Sequence, residues 1–574
     1  MNGEVNPRRT PRLPGWRSWT LLAVLIGCFS VLIARAVYLQ GLNNDFYQAK
    51  GESRYSRSME ISATRGVIVD RNSELLAIST PAESVAASPA DIEITADQAR
   101  KLAKLLQIDV RELQRKLEDT RREFVYLKRQ LPPEQAAKVV ELNIPGVFLQ
   151  REFRRFYPAA EELAHVIGFT NVDDKGQEAL ELAFEESLRG RPGFRRVIKD
   201  RKGRIVEDME SIRAPQHGER IMLTIDAKIQ HLAFRELKKA MAEHRAKAGG
   251  IVVLDAATGE VLAMANFPTY DPNQRAKVDA SRMRNRTVTD LFEPGSTLKP
   301  FTVATALETG TVTPETVIDT ASGQMTIGSA TIHDAHPSGA LTVAQVIQKS
   351  SNVGAAKLAL RLPPEKMWSV FNSVGFGAHP QSGFPGEVSG RLRAYEHWKP
   401  IEQATMSYGH GISVSLLQLA RAYTIFASDG ELRSPALLKR DGATETKRVI
   451  SVETAQAVRK MLEMVVQPGG TAPQARVAGY RVAGKTGTAH KLEGRGYAAN
   501  RYISSFVGFA PVSNPRIIVA VMIDEPSGQY YGGTVAAPVF SEVVGGALRL
   551  MGVTPDSPVE KLVLPTTPEI KEEV

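Results

Sequence analysis

An uncharged apolar run near the start of the chain constrains its architecture more than any other feature. From Ser18 to Leu39 the only charge is Arg35. Those 22 residues would span about 33 Å as a helix, which matches a bilayer core. Arg8, Arg9, Arg12 and Arg17 precede the run, and arginines on that flank place it in the cytoplasm. Arg35 lies within about one turn of the far end, where its side chain can snorkel to the interface. Trp16, Trp19 and Tyr38 sit where an aromatic belt would. The pattern predicts a cytoplasmic segment over 1–17 and a transmembrane anchor over 18–39. A cleaved signal peptide is the alternative, because Ala34-Arg35-Ala36 is a weak A-x-A site, but the run exceeds the usual apolar core of such peptides. No second run of this length follows, so the 535 residues after Leu39 are expected outside the cytoplasm.

Composition narrows what those residues do. A chain of 574 residues holds three or four domains at typical sizes. With 43% hydrophobic and 24% charged residues it is neither wholly disordered nor polytopic. The net charge of +9 permits an anionic partner without naming one, and nucleic acid is excluded on topology because only the short N-terminal segment faces the cytoplasm. Cys28 is the single cysteine, which rules out an intrachain disulfide and a thiolate metal site. No ligand cluster with metal spacing appears among the ten histidines, so neither metal nor organic cofactor is expected.

The chain then divides by texture. Residues 40–220 are charge-rich, with strand-like runs at Gly66–Val69 and Val147–Gln150, and the stretch Asp109–Arg129 reads as a solvated helix with Leu113, Leu117 and Phe124 at helical spacing. From 221 onward, Gly250–Leu254 and Val261–Ala265 flank an Asp255–Gly259 turn and read as a β-hairpin. Helical patterns dominate from 296 to about 465, and Tyr480–Val482, Ser504–Ala510 and Ile517–Ile523 read as strands. Strands at both ends of this region predict one antiparallel sheet flanked by helices, an α+β domain over 221–553. The tail over 554–574 is rich in proline, ends acidic and is expected to be disordered.

Three short motifs carry chemistry. In Phe292-Glu293-Pro294-Gly295-Ser296-Thr297-Leu298-Lys299-Pro300, Pro300 fits only a first helical turn, so a helix should begin near Ser296. Ser296 then sits among unsatisfied N–H groups at the positive end of the helix, with Lys299 on the same face. Lysine can activate a serine hydroxyl only after losing its proton. Alone, S-x-x-K is more often an N-cap serine followed by a solvent-facing lysine. Ser350-Ser351-Asn352 presents a hydroxyl and an amide if the helical run Val343–Leu360 starts or kinks there; otherwise it is capping chemistry. Lys485-Thr486-Gly487-Thr488, on an edge strand, offers a cation and two hydroxyls as a carboxylate shelf, with Gly487 admitting a ligand backbone. Its bland reading is a turn between strands.

Order and spacing join these motifs. Ser350 lies 54 residues after Ser296, and Lys485 lies 135 after Ser350. S-x-x-K, S-x-N and K-T-G in that order are shared by serine β-lactamases and penicillin-binding proteins. The chain resembles the class B penicillin-binding proteins, above all septal, division-specific transpeptidases of the FtsI type. The likeness runs from about 16 to 545 and includes Arg65-Gly66-Val67-Ile68-Val69-Asp70-Arg71-Asn72, Tyr157-Pro158, Ala164–Gly168, Leu223–Asp226, Arg284-Asn285-Arg286, Tyr408-Gly409-His410-Gly411 and Tyr530-Tyr531-Gly532-Gly533. Ser73 and Ala179 stand where that family often has glycine. The resemblance implies a penicillin-binding transpeptidase domain on an elongated pedestal over 40–220. It implies that Ser296 attacks the D-alanyl-D-alanine carbonyl of a peptidoglycan stem peptide, with Lys299 as base. Ser350 would relay a proton and Asn352 would orient Lys299 and the substrate amide. Lys485, Thr486, Gly487 and Thr488 would bind the terminal carboxylate or a β-lactam, with the N–H groups of Ser296 and Thr488 as the oxyanion hole. Implied partners are donor and acceptor stem peptides, β-lactams and other membrane division proteins, including the septal glycan polymerase, at the inner membrane of the septum. Hydrolysis of β-lactams, or a non-catalytic sensor or scaffold on the same fold, are the rival functions; Ser351 in place of aspartate in the second motif argues against the hydrolase.

Overall fold

The computed structural model describes residues 14–42 and 56–558 apart from 123, 200–204, 275–277, 321, 440–441, 443–444 and 495; the tail from 559 lies outside the described residues. Two compact units form. One takes the described residues up to Ala63 together with Arg191–Gln216, and the other takes Thr64–Gly190 and the chain from His217 onward.

In the first unit, helix α1 (Gly15–Val37) continues into a wider turn over Tyr38–Leu42. None of its residues is buried, although Leu22, Leu25, Ile26, Phe29 and Leu32 all lie on it. Leaving that many large apolar side chains in water would cost about 1.5–3 kcal/mol each. A helix of 23 residues reaches across a bilayer core, and among the described residues it is the one helix long and apolar enough to do so. The same unit holds a three-stranded antiparallel sheet of β1 (Ser56–Ile61), β6 (Gly193–Lys199) and β7 (Ile205–Arg213), in the order β1-β6-β7.

The second unit opens with β2 (Ile68–Val69) and β3 (Leu75–Ala87), the latter shared by β4 (Val125–Leu131) and β5 (Val147–Phe156). Helices α2 (Ala96–Leu106), α3 (Val110–Leu117) and α4 (Pro133–Val140) close a small core of Val85, Leu102, Leu106, Leu113, Leu127, Val139 and Ile144. The solvated helix read over Asp109–Arg129 is corrected here. Asp109 caps α3 and Glu112 pairs with Lys116 at 3.1 Å, but the helix stops at Leu117. Val125 to Leu131 then run as strand, because alternation at Val125, Leu127 and Leu131 pairs with β3 and Phe124 is left on the surface. Ser73 (φ +72°) and Ala179 (φ +50°) keep the left-handed backbone that glycine accommodates more cheaply. The turns survive the substitutions, at about 1 kcal/mol of strain each.

Arg65 and Asp70 explain the motif they bracket. The Arg65 guanidinium is buried and bonded to Glu181 and Glu185, each at 2.6 Å. Asp70, fully buried, accepts from Asn72 N at 2.7 Å, Glu74 N at 2.8 Å and Ala227 N at 3.1 Å. It thereby ties the end of β2 to the start of α5 (Ala227–Glu243).

The main sheet combines strands from the two ends of the later sequence. Its order is β10 (Val261–Phe267), β9 (Ala248–Asp255), β15 (Ile517–Asp524), β14 (Gly496–Ala510) and β13 (Ala483–Glu493), antiparallel throughout. β9 and β15 are central and almost wholly buried. Consecutive glycines reveal the two covered faces. A Cβ on Gly249 would meet Leu237 and Met241 of α5, and one on Gly250 would meet Thr287 and Leu416 from the other side. Helix α10 (Ala537–Leu550) joins α5, where Gly546 receives Leu232. The expected hairpin and the expected assembly from both ends are present. The last edge strand starts at Ala483, just after the run read as strand at Tyr480–Val482.

Candidate active site

The serine turn is built around a glycine. Gly295 adopts φ +56°, which reverses the chain after Pro294. A tight 3-10 turn over Gly295–Leu298 follows, and α6 (Lys299–Glu308) begins only at the lysine, one turn later than the motif suggested. Pro300 occupies the first turn, where its missing N–H is not needed. Ser296 is 6% exposed and Lys299 is fully buried. Their three-residue spacing brings Lys299 Nζ to 2.9 Å from Ser296 Oγ.

The second motif breaks its helix as the chemistry requires. Helix α7 (Val343–Lys349) ends with Ser350 at φ +60°, and α8 (Asn352–Ala359) starts with Ser351 as its N-cap. A serine in the left-handed region is strained, a cost that structures carry mostly at functional positions. The conformation turns both oxygens of Ser350 onto Lys299: Nζ donates to Ser350 Oγ at 3.0 Å and to the Ser350 carbonyl. Asn352 Nδ2 donates to the carbonyl of His333 at 3.1 Å.

The third motif lies on β13, the free edge of the main sheet. Lys485 is fully buried and its Nζ donates to Ser350 Oγ at 2.8 Å and to Thr486 Oγ1 at 3.1 Å. Thr486 Oγ1 is 2.9 Å from Thr471 Oγ1, and Thr488 Oγ1 accepts from Gly532 N at 3.0 Å. Gly487 also faces the serine turn. A Cβ there would lie 2.5 Å from Ser505 Oγ, 2.8 Å from Pro294 O and 2.9 Å from Thr297 Cγ2. The missing side chain lets the serine turn seat on the strand, because the space beside it is occupied by the protein itself.

All three motifs therefore converge. A hydrogen-bonded line runs from Ser296 Oγ through Lys299 Nζ, Ser350 Oγ and Lys485 Nζ to Thr486 Oγ1. Two ammonium groups share one hydroxyl, whose own proton remains available to a third group.

Comparison with known proteins agrees with this geometry. Residues 249–545 match the family model of the penicillin binding protein transpeptidase domain, and residues 60–223 match that of the penicillin-binding protein dimerisation domain. The chain belongs to the penicillin-binding transpeptidases. It is 44% identical to the probable peptidoglycan D,D-transpeptidase PenA of Neisseria gonorrhoeae, covering 99% of both chains. It is 40% identical to the peptidoglycan D,D-transpeptidase FtsI of Escherichia coli, over 96% of this chain and 95% of that one. Among solved structures, the transpeptidase domain of Burkholderia pseudomallei penicillin-binding protein 3 superposes with a TM-score of 0.55 at 50% identity, covering 58% of this chain and 98% of that one. A peptidoglycan synthetase of Bifidobacterium adolescentis superposes with a TM-score of 0.68 at 25% identity, covering 90% of this chain and 100% of that one.

Several side chains in this penicillin-binding domain brace the motifs without being legible beforehand. Asp334 follows a hairpin of β11 (Gln324–Ile327) and β12 (Ala330–His333); it accepts from Ser351 Oγ at 2.6 Å and from Val353 N at 2.9 Å. Tyr423, buried, donates to the Thr297 carbonyl at 2.7 Å and so pins the turn after the serine. Gly409 packs on the same turn, since a Cβ there would stand 2.2 Å from Gly295 O. His410 has its pKa pushed down to about 4, by burial first and by the charge of Lys299 second. It is a neutral ring at physiological pH.

Proposed function

We propose that this chain is the serine D,D-transpeptidase that cross-links peptidoglycan stem peptides at the division septum, and that β-lactams acylate it at Ser296. The observation that carries the reading is the buried line Ser296–Lys299–Ser350–Lys485, with steps of 2.9, 3.0 and 2.8 Å. Lys299 acts as base once neutral. Burial and a like charge one hydroxyl away both oppose its charged form. It takes the Ser296 proton as Oγ attacks the carbonyl between the two D-alanines. The N–H groups of Ser296 and Thr488 receive the oxyanion, at about 3–4 kcal/mol per donor. As the tetrahedral intermediate collapses, Ser350 passes a proton to the departing amine, and terminal D-alanine leaves. Lys485, Thr486 and Thr488 hold the substrate carboxylate, and Asn352 orients the substrate amide. An amino group of a neighbouring stem peptide then attacks the ester, Lys299 again managing the proton, and Ser296 is regenerated with one peptide bond formed. No cofactor enters any step.

Helix α1 anchors the chain, with its N-terminus in the cytoplasm and the catalytic domain on the wall side of the membrane. The anchor and the region from 40 to 220 are the surfaces for other division proteins, including the glycan polymerase. The test is labelling of the detergent-solubilised full chain with a fluorescent penicillin. The wild type should carry a stable adduct on the peptide containing Ser296, and Ser296→Ala should carry none while unfolding at the same temperature. Label persisting in the alanine variant would overturn the assignment, and an acyl lifetime of seconds or less would mark a hydrolase. Full-length protein spread evenly around dividing cells would remove the septal part of the reading.

A further inference from the structure

Three residues before the serine stands a carboxylate that none of the steps above uses. Glu293 is 6% exposed. One of its oxygens accepts the Gly411 N–H at 2.8 Å and the other accepts the Tyr497 hydroxyl at 3.0 Å. Gly411 closes the loop whose Gly409 packs on Gly295. Tyr497 pairs with Leu492 near the tip of the β13–β14 hairpin, on the strand adjoining the one that carries Lys485–Thr488. Between them the His410 ring lies 5.1 Å from Tyr408 and 5.9 Å from Tyr497. Burial raises the Glu293 carboxyl above its ordinary range, and the bonds from Gly411 and Tyr497 pull in the opposite direction. A group that disfavoured in the core is retained where it holds neighbours in place.

We propose that Glu293 is a positioning residue of the acylation centre, its two oxygens holding the 408–411 loop and the β13–β14 hairpin tip against the serine turn. The inference rests on the reading of Ser296 as the acylated nucleophile. Acylation requires the Ser296 turn and the Thr488 strand to keep their spacing within a fraction of an ångström. Glu293 is the side chain that joins the turn to that strand's hairpin from outside the catalytic line. Glutamine at this position keeps both bonds, its amide oxygen accepting from the Gly411 N–H and its amide N–H donating to the Tyr497 hydroxyl, whereas aspartate is one methylene too short to reach both.

The test measures acylation of the full chain in detergent by a fluorescent penicillin, separating initial binding from the acylation step. Glu293→Asp and Tyr497→Phe should each slow the acylation step about 10-fold with initial binding unchanged, as expected of a misplacement below 1 Å, whereas Glu293→Gln, which keeps both bonds, should stay near the wild-type rate. The double variant Glu293→Asp/Tyr497→Phe should be no slower than the slower single. Tyr497 is 50% exposed, so loss of its hydroxyl should leave the unfolding temperature at the wild-type value. Wild-type acylation rates in Glu293→Asp and Tyr497→Phe would overturn the proposal. So would losses that multiply in the double variant, or losses that merely follow a fall in unfolding temperature. A wild-type chain without an adduct on Ser296 would overturn the reading beneath it, whereas a labelled wild type matched by its variants removes the Glu293 role alone.

Discussion

Arg65 in the N-terminal region and Lys299 beside Ser296 are both buried basic side chains, yet their surroundings have opposite chemistry. Burial works against the Arg65 charge, but Glu181 and Glu185 outweigh it and hold the guanidinium above its ordinary value. A second guanidinium, Arg155, takes the other Glu181 oxygen at 2.7 Å. Lys299 instead meets the hydroxyls of Ser296 and Ser350, and Lys485 meets Ser350 and Thr486. Guanidinium cannot shed its proton in a protein, whereas a buried ammonium can. One region uses cations whose charge is permanent to fix architecture. The other buries ammonium groups whose charge is negotiable, as the proposed general base requires.

Exchanging that property should give opposite signatures. Lys299→Met keeps the length of the side chain and removes the base, so acylation should fall about 10²–10⁴-fold. The fold should not suffer, because the substitution removes one of two like charges that share the Ser350 hydroxyl. Acylation rate and thermal unfolding, measured on the same preparation, decide it. A variant that acylates within tenfold of wild type would make Lys299 architectural, like Arg65.

The reverse holds for Glu181→Gln. Glu181 is fully buried and serves both Arg65 and Arg155, so its neutral replacement takes the carboxylate from Arg155 and leaves Arg65 to Glu185. Breaking such a pair costs about 3–5 kcal/mol. Denaturant unfolding should show that loss, while the fraction of folded protein that binds penicillin stays at the wild-type level. Unchanged stability would mean that the arginines find other acceptors.

Why one cluster was legible in the sequence and the other was not follows from distance along the chain. Ser296 and Lys299 share a helix face by spacing alone, and Gly250–Leu254 with Val261–Ala265 carries its own turn. The break at Ser350 was foreseen as a condition of function, though nothing local predicts a left-handed serine. Glu181, by contrast, lies 116 residues from Arg65, and no periodicity links them. Thr471 and Thr486 meet across 15 residues, and Asp334 reaches Ser351 across 17, past a 3-10 turn in one case and past α7 in the other. Phe124 was misread because it continued a helical spacing that pairing with β3 overrode. That Gly487 also seats the serine turn is invisible in the sequence, because only the packed structure shows which side of the strand that turn occupies.

The smallest expected effect sharpens the contrast from within the arginine cluster. Asp174 lies beside Arg65 and Arg155, and its carboxyl is nevertheless pushed up to about 6, because burial outweighs both positive charges. Its Oδ1 has no hydrogen-bond partner among the described residues. A carboxyl raised in the folded state binds its proton more tightly there than in the unfolded chain, where it titrates near 4. Its contribution to stability is therefore complete below pH 4 and is lost as pH rises through about 6. With its partial exposure discounted, the loss is on the order of 1–2 kcal/mol. Asp174→Asn should flatten that part of the stability curve between pH 4 and 7 and leave the acylation rate unchanged over the same range. A slope of the same size in the asparagine variant would assign it to another group, and a slope of opposite sign would mean that the two arginines, not burial, set the charge of Asp174.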